Sequence, residues 1–271
     1  MTTGRIAALV SLLVTAEAAT VSVNSPPFDA VAALAGRTRA ALFDFDGTLA
    51  QSEDTHRKTF ARVLGMCPDT EMDMTFWESH CVGHAPPEII KRYRKPDAHH
   101  SVEEMVQARS LLFEEAIERG ELPLTAGTRE LLLALREHGV RCVVVTSGAR
   151  SYIEKALNKL GIGEFFEFLV TGTDEEVQGR TKPNPFPFLH AAELLGVEPE
   201  HCLAFEDSPT GITSAQAAGM PVVVVANNVN THLKKGHPGI VEYVPEFSSL
   251  SVAQLLRPAP KGDDYDDSFG I

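Results

Sequence analysis

Asp44 and Asp46 stand two residues apart at the end of an apolar run, ALFDFDGTLA from Ala41 to Ala50, and Gly47-Thr48 follow them at once. Two carboxylates this close repel, so they require a cation beside them or a proton on one of them. If the run is a strand through Phe45, residues two apart share a face, and both aspartates project from one side of its C-terminal end. Other apolar runs end in polar residues as well. VVV is followed by Thr146, Ser147 and Gly148, and LAF by Glu206, Asp207 and Ser208. Between them Lys182 lies in TKPNP, stiffened by Pro183 and Pro185. The set comprises carboxylates at two run ends, a hydroxyl beside a small-residue turn at a third, and one lysine.

Each piece alone has an ordinary explanation. DxDG makes turns and caps, and Thr146-Ser147-Gly148 suits a βα turn. Ser208 can cap a helix opening at Pro209, and a single lysine is usually solvated. Their joint occurrence at run ends is what points to chemistry, because ligands of open α/β sheets bind outside the carboxyl ends of the strands.

The elements that must position these residues follow from periodicity. AALFDF, RCVVVT, PVVVVA and HCLAFE read as buried strands, and FEFLVT as a weaker fifth. Helical spacings lie between them. Leu131, Leu132 and Leu135 precede His138-Gly139; Ile153, Ala156, Leu157 and Leu160 precede Gly161; Phe188, Leu189, Ala192 and Leu195 precede Gly196. Strands alternating with helices predict a Rossmann-like parallel α/β sheet covered on both faces. From 52 to 122 no strong strand appears. Val102, Met105, Val106, Arg109, Leu112, Phe113, Ala116 and Ile117 make a helical stripe there, and Pro86-Pro87 suits a helix start. A helical cap over 52–122 is therefore expected within a core of 37–51 and 123–257, hinged beside the aspartates.

With 271 residues the chain can bury a sizeable core. A formal net charge of −13 argues against nucleic acid or an anionic membrane as partner, and it means that an anionic substrate needs local lysine or metal. The four cysteines, Cys67, Cys81, Cys142 and Cys202, form no CxxC pair and read as reduced thiols, with Cys142 and Cys202 in the core. Residues 1–36 read as an extension. Arg5 before IAALVSLLV, within 1–20, has the outline of a weak signal peptide or organelle leader, the alternative being a plain extension of a cytoplasmic protein. The acidic 258–271 reads as a disordered tail. The sequence leaves the oligomeric state open.

The four stations DxDGT, VTSG, KPxP and ED resemble those of the haloacid dehalogenase-like phosphotransferases over about Ala40 to Val225. The resemblance implies Asp44 as nucleophile, forming an aspartyl-phosphate, and Asp46 as general acid and base. It implies Mg2+ held by Asp44, Asp207 and the backbone carbonyl of Asp46, with Glu206 binding directly or through water. Lys182 would neutralise phosphate and keep Asp44 ionised. The Thr146 hydroxyl and the Ser147 and Gly148 amides would cradle phosphate oxygens. The family's dehalogenases have no second Asp, so Asp46 favours phosphoryl transfer. The implied substrate is a small phosphorylated metabolite, a sugar or polyol phosphate; a β-phosphoglucomutase-like mutase and a catalytically silent relative are the alternatives.

In the expected cap, His56 lies ten residues past Asp46 and is expected to touch substrate or Asp46, or to serve the hinge. His80-Cys81-x-x-His84 lacks a second ligand pair for a metal site. His99-His100 suits a solvated turn, and Phe76 and Trp77 suit packing. Sugar-phosphate mutases that resemble this chain carry an arginine soon after a glycine that looks equivalent to Gly83. Here Gly83-His84-Ala85-Pro86-Pro87-Glu88 follows, and Lys91 and Arg92 come only later.

Overall fold

The computed structural model describes residues 37–82, 84–227, 230, 239–251 and 255–256. The readings of 1–36, Gly83 and 258–271 fall outside these residues.

Six strands form one parallel sheet: β1 (Ala40–Phe43), β2 (Arg141–Val145), β3 (Phe166–Val170), β4 (Cys202–Glu206), β5 (Val222–Val225) and β6 (Ile240–Val244). Their order is β3-β2-β1-β4-β5-β6. The chain winds outward from β1 through β2 to β3, then returns to β4 on the other side. That reversal opens a crevice at the carboxyl end of β1, where doubly wound sheets bind ligands.

The apolar runs lack polar alternation because both faces of the sheet are covered. Ala41 and Phe43 face one side, packed with Leu131, Leu132 and Leu135 of α5 (Thr128–Glu137) and Ile153, Ala156 and Leu157 of α6 (Arg150–Leu160). Ala40 and Leu42 face the other, with Phe188, Ala191 and Ala192 of α7 (Phe186–Leu195) and Ile212 and Ala215 of α8 (Pro209–Ala217). Gly161 and Gly196 end α6 and α7 in the left-handed region, at φ 64° and 63°. Phe43 stacks on Phe205 with centroids 4.3 Å apart, tying β1 to β4 at the centre.

Between β1 and α5 lie four helices: α1 (Glu53–Leu64), α2 (Met74–His80), α3 (Pro86–Tyr93) and α4 (Val102–Glu118). They bury a cluster of their own, including Phe60, Leu64, Met72, Trp77, Ile90 and Met105. Ser101 and Glu104 form a reciprocal capping box at the start of α4. The two connections to the sheet are laced together: the Gln51 amide donates to Pro123 O at 2.9 Å, and Thr55 Oγ1 to Glu121 O at 3.0 Å. Among the described residues no helix is long and apolar enough to cross a membrane.

Two features depart from the sequence reading. IVEYV forms the edge strand β6, which Glu242 disguised; an edge needs no continuous apolar run, and both Glu242 and Tyr243 are half-buried. Strand β1 stops at Phe43 rather than reaching Phe45. Phe45 to Ala50 instead close a turn, with Leu49 and Ala50 amides on Phe45 O and the Gly47 amide on Ala50 O. Gly47 takes φ 79°, which its lack of a Cβ allows.

Candidate active site

Because β1 ends early, Asp44 and Asp46 do not share a strand face. Asp44 extends the ladder, its amide donating to Phe205 O at 2.9 Å, and its carboxylate meets Lys182 Nζ at 2.6 Å. Asp46 turns away to the helical insertion. Each carboxylate thus has donors of its own, while Asp46 remains among the charges that raise the Asp44 carboxyl.

Lys182 is the hub of the first group. From the loop after β3 its ammonium also reaches Glu206 Oε1 at 2.5 Å and Val145 O, at the end of β2, at 2.8 Å. Its side chain is only 3% exposed. Burial by itself would lower the lysine pKa, but Asp44 and Glu206 outweigh that and raise it, so Lys182 stays charged. Glu206 is fully buried. Its second oxygen accepts from the Asp207 amide at 3.1 Å and the Ser208 hydroxyl at 3.1 Å. Asp207 accepts from Asn227 Nδ2 at 2.8 Å and from Thr48 Oγ1 at 3.4 Å. The Ser208 hydroxyl in turn caps α8, accepting from the Gly211 amide at 3.0 Å, so the cap reading and the site reading of this segment hold together.

Asp44, Glu206 and Asp207 are the one group among the described residues whose His, Cys, Asp or Glu ligand atoms all approach within 4.8 Å. Three buried carboxylates against one ammonium leave two formal negative charges, which a divalent cation would neutralise. Burial drives the Asp44 carboxyl well above the ordinary range against the pull of Lys182, and burial with Asp44 and Glu206 drives Asp207 up likewise. Hard oxygen donors with excess negative charge suit Mg2+. His80 and His84 diverge, one to Phe76 O and the other to Glu88, so the HCxxH segment gathers no such group.

The phosphate-loop candidates lie at the end of β2. Thr146 is buried and Ser147 exposed. The Gly148 amide donates to Thr146 Oγ1 at 3.0 Å, so in this arrangement it closes the loop on itself instead of facing outward as the sequence reading has it. Arg150 braces the loop from behind through two bonds to Asp174, at 2.9 and 2.8 Å.

Asp46 Oδ1 lies 3.2 Å from His56 Nε2, and Asp46 Oδ2 accepts from the Tyr152 hydroxyl. Arg109 of α4 meets His56 Nδ1 through its NH2 group. Burial pushes the Arg109 guanidinium down to about 10, still charged at neutral pH. Arginine only donates, so Nδ1 must accept, the ring proton sits on Nε2, and His56 donates to Asp46. Burial works to raise the Asp46 carboxyl, yet the hydrogen bonds it accepts from His56 and Tyr152 leave it below its ordinary value. The Arg109 guanidinium lies over the Phe60 and Phe113 rings at 4.8 and 4.7 Å, and His56 stacks on Phe113 at 4.3 Å.

Arg109 and Tyr152 were not candidates from sequence. For Arg109 a signal existed: an arginine inside an apolar helical stripe has a buried charge to explain. For Tyr152 none did.

Residues 41–225 match the family described as haloacid dehalogenase-like hydrolase. The chain is 34% identical over 185 residues to validoxylamine A 7'-phosphate phosphatase of Streptomyces hygroscopicus subsp. limoneus, spanning 67% of this chain and 83% of that protein. It is 32% identical over 188 residues to fructose-1-phosphate phosphatase YqaB of Escherichia coli (strain K12), spanning 68% and 94%. The crystal structure of CbbY from Rhodobacter sphaeroides in complex with phosphate is similar at a TM-score of 0.68 and 25% identity, spanning 80% of this chain and 99% of that one. A match that runs from β1 through β5, and so includes all four strand-end and loop stations, gives the conclusion that the chain belongs to the haloacid dehalogenase-like hydrolase family.

Proposed function

We propose that this protein is a Mg2+-dependent phosphatase that hydrolyses a small sugar or polyol phosphate through an aspartyl-phosphate on Asp44. The observation that carries the reading is the division of labour between the two aspartates. Asp44 joins Lys182 in the acidic cluster, while Asp46 is held apart by His56 and Tyr152. One carboxylate is thereby kept for attack and the other for proton transfer. Two relatives above 30% identity bear the names of a validoxylamine A 7'-phosphate phosphatase and a fructose-1-phosphate phosphatase; the names support a small organic phosphate, and the second a sugar phosphate.

Asp44 attacks phosphorus while Lys182 offsets charge on the attacking carboxylate and on the phosphate. Asp44 and Asp207 would hold Mg2+ by side chains and Asp46 by its backbone carbonyl, with Glu206 steadying Lys182. The bound ion supplies positive charge to the phosphoryl oxygens. Thr146 and the Ser147 amide orient the phosphate. Asp46 is ionised in the free site. The arriving phosphate is itself anionic, which raises the proton affinity of Asp46 and equips it to protonate the leaving oxygen. The same carboxylate then takes a proton from the water that cleaves the intermediate.

The test is phosphate release from a panel of sugar and polyol monophosphates, with activity lost in EDTA, restored by Mg2+ and inhibited by Ca2+. β-Glucose 1-phosphate with a trace of the 1,6-bisphosphate separates the mutase alternative. Lys91 and Arg92 are exposed on α3, and Arg92 lies over the neighbouring Tyr93 ring at 6.0 Å. Phosphate or no product is therefore expected. Glucose 6-phosphate appearing faster than phosphate would overturn the choice, and no release from any substrate would leave the silent reading.

A further inference from the structure

Tyr152 is the third residue of α6, one turn beyond the phosphate loop. Three neighbours aim its ring. Phe45 meets it edge-on at 6.3 Å from the sheet side, and Phe113 of α4 meets it edge-on at 5.4 Å from the helical insertion. Gly148 lies beneath it, where a Cβ would collide with the phenol oxygen. The phosphate loop thus carries a glycine at the point the phenol must cross. So seated, the hydroxyl meets Asp46 Oδ2 while His56 holds Oδ1. A carboxylate on two rotatable bonds has its plane fixed when each oxygen has its own partner. Phe113 touches both rings that hold it, stacking on His56 and meeting Tyr152 edge-on, so both partners depend on where α4 packs.

We propose that Tyr152 is a positioning residue for the acid–base carboxylate: seated by Gly148, Phe45 and Phe113, its hydroxyl orients Asp46 toward the leaving-group oxygen when α4 is packed on the core. This rests on the phosphatase reading. A neutral hydroxyl suits the task because it donates without adding charge. It donates to Oδ2 whether Asp46 is a carboxylate or an acid, since the protonated carboxyl keeps lone pairs, so it can stay bonded through both half-reactions while the acid proton faces the leaving oxygen. His56, with Nδ1 engaged by Arg109, likewise donates to Oδ1. In the first half-reaction the Asp44 oxygen–phosphorus bond forms, the ester bond to the leaving oxygen breaks, and the Asp46 proton goes to that oxygen. In the second, water oxygen bonds phosphorus, the Asp44 bond breaks, and a water proton returns to Asp46. Tyr152 gains and loses none.

Tyr152→Phe keeps the ring and deletes the hydroxyl. Single-turnover transfer from the fastest alkyl phosphate of the panel should fall about ten- to a hundredfold, the size expected for one hydrogen bond to a charged group. Transfer from p-nitrophenyl phosphate, whose leaving group needs little protonation, should change less than about threefold. The circular dichroism spectrum should stay native. On an Asp46→Asn background Tyr152→Phe should cost nothing further with the alkyl phosphate. In an active protein, equal slowing of both leaving groups, full additivity with Asp46→Asn, an unchanged alkyl rate or loss of fold overturns the positioning role alone. A wild-type protein that releases phosphate from neither class overturns the phosphatase reading and this inference with it.

Discussion

The Cβ that Gly211 lacks would fall on the carboxylate of Glu206. The first turn of α8 therefore packs directly against the residue that anchors Lys182, and the glycine makes that approach possible. Alanine is the better helix former by about 1 kcal/mol, so an unconstrained site would gain stability from it. Here the opposite is expected. Gly211→Ala should displace Glu206, lower stability by about 1–3 kcal/mol in urea unfolding, and reduce phosphate release. A variant as stable and active as wild type would show that the cluster yields without consequence.

Asp44→Asn should lower turnover by about three orders of magnitude or more, because an amide is no anionic nucleophile. The fold should survive, since the side chain lies beyond the end of β1, in a cluster where removing one negative charge relieves repulsion. Native circular dichroism with near-wild-type phosphate release would refute the assignment.

The raised carboxyls predict how stability depends on pH. Asp44 and Asp207 stand well above the ordinary 3.8, with burial the first cause of each. The folded state then binds protons more tightly than the unfolded chain, and stability falls as pH rises from that value upward. Asp46 is held below 3.8, so its opposite contribution is lost only in stronger acid. Lys182 is raised from 10.5 and contributes stability that is lost only in strong base. The metal-free protein should gain a few degrees in Tm as the pH is lowered from neutrality toward the ordinary carboxylate range. Mg2+ should remove most of that slope by binding the ionised cluster. Asp44→Asn should flatten it as well. A slope unchanged in that variant would place its origin elsewhere, in the overall negative charge.

Thiol labelling tests the packing. Cys67 is exposed, and a hydrogen bond with the Thr70 side chain is the leading cause of its lowered pKa. Burial lifts Cys81 to about 11 and Cys142 and Cys202 to about 12. Iodoacetamide at neutral pH should modify Cys67 in the native protein and all four thiols after unfolding. Rapid native labelling of Cys142 or Cys202 would contradict the buried sheet.

Much of the site was legible because each of its core residues ends or follows an apolar run, and a parallel sheet delivers the ends of its strands to one edge. Asp44, Thr146, Glu206 and Asp207 could be read from that rule alone, and Lys182 from its company. The direction of Asp46 could not. It depends on β1 stopping at Phe43, a matter of one turn's hydrogen bonds, which a continuous apolar pattern does not reveal. Strand β6 was missed for a related reason, since an edge strand tolerates the Glu242 that argues against burial.

The amino-acid sequence by itself determined the alternation of strands and helices, the helical insertion after the aspartates, and which residue types reach the strand ends, because these follow from short-range periodicity. His56, ten residues past Asp46, could be read as its partner from the sequence; tertiary structure alone decided the rest of that network. Arg109 meets His56 across 53 residues, and Tyr152 meets Asp46 across 106. No local pattern encodes contacts at such separation; they exist because α4 packs on α1 and α6 and brings a buried arginine and a phenol to the same carboxylate.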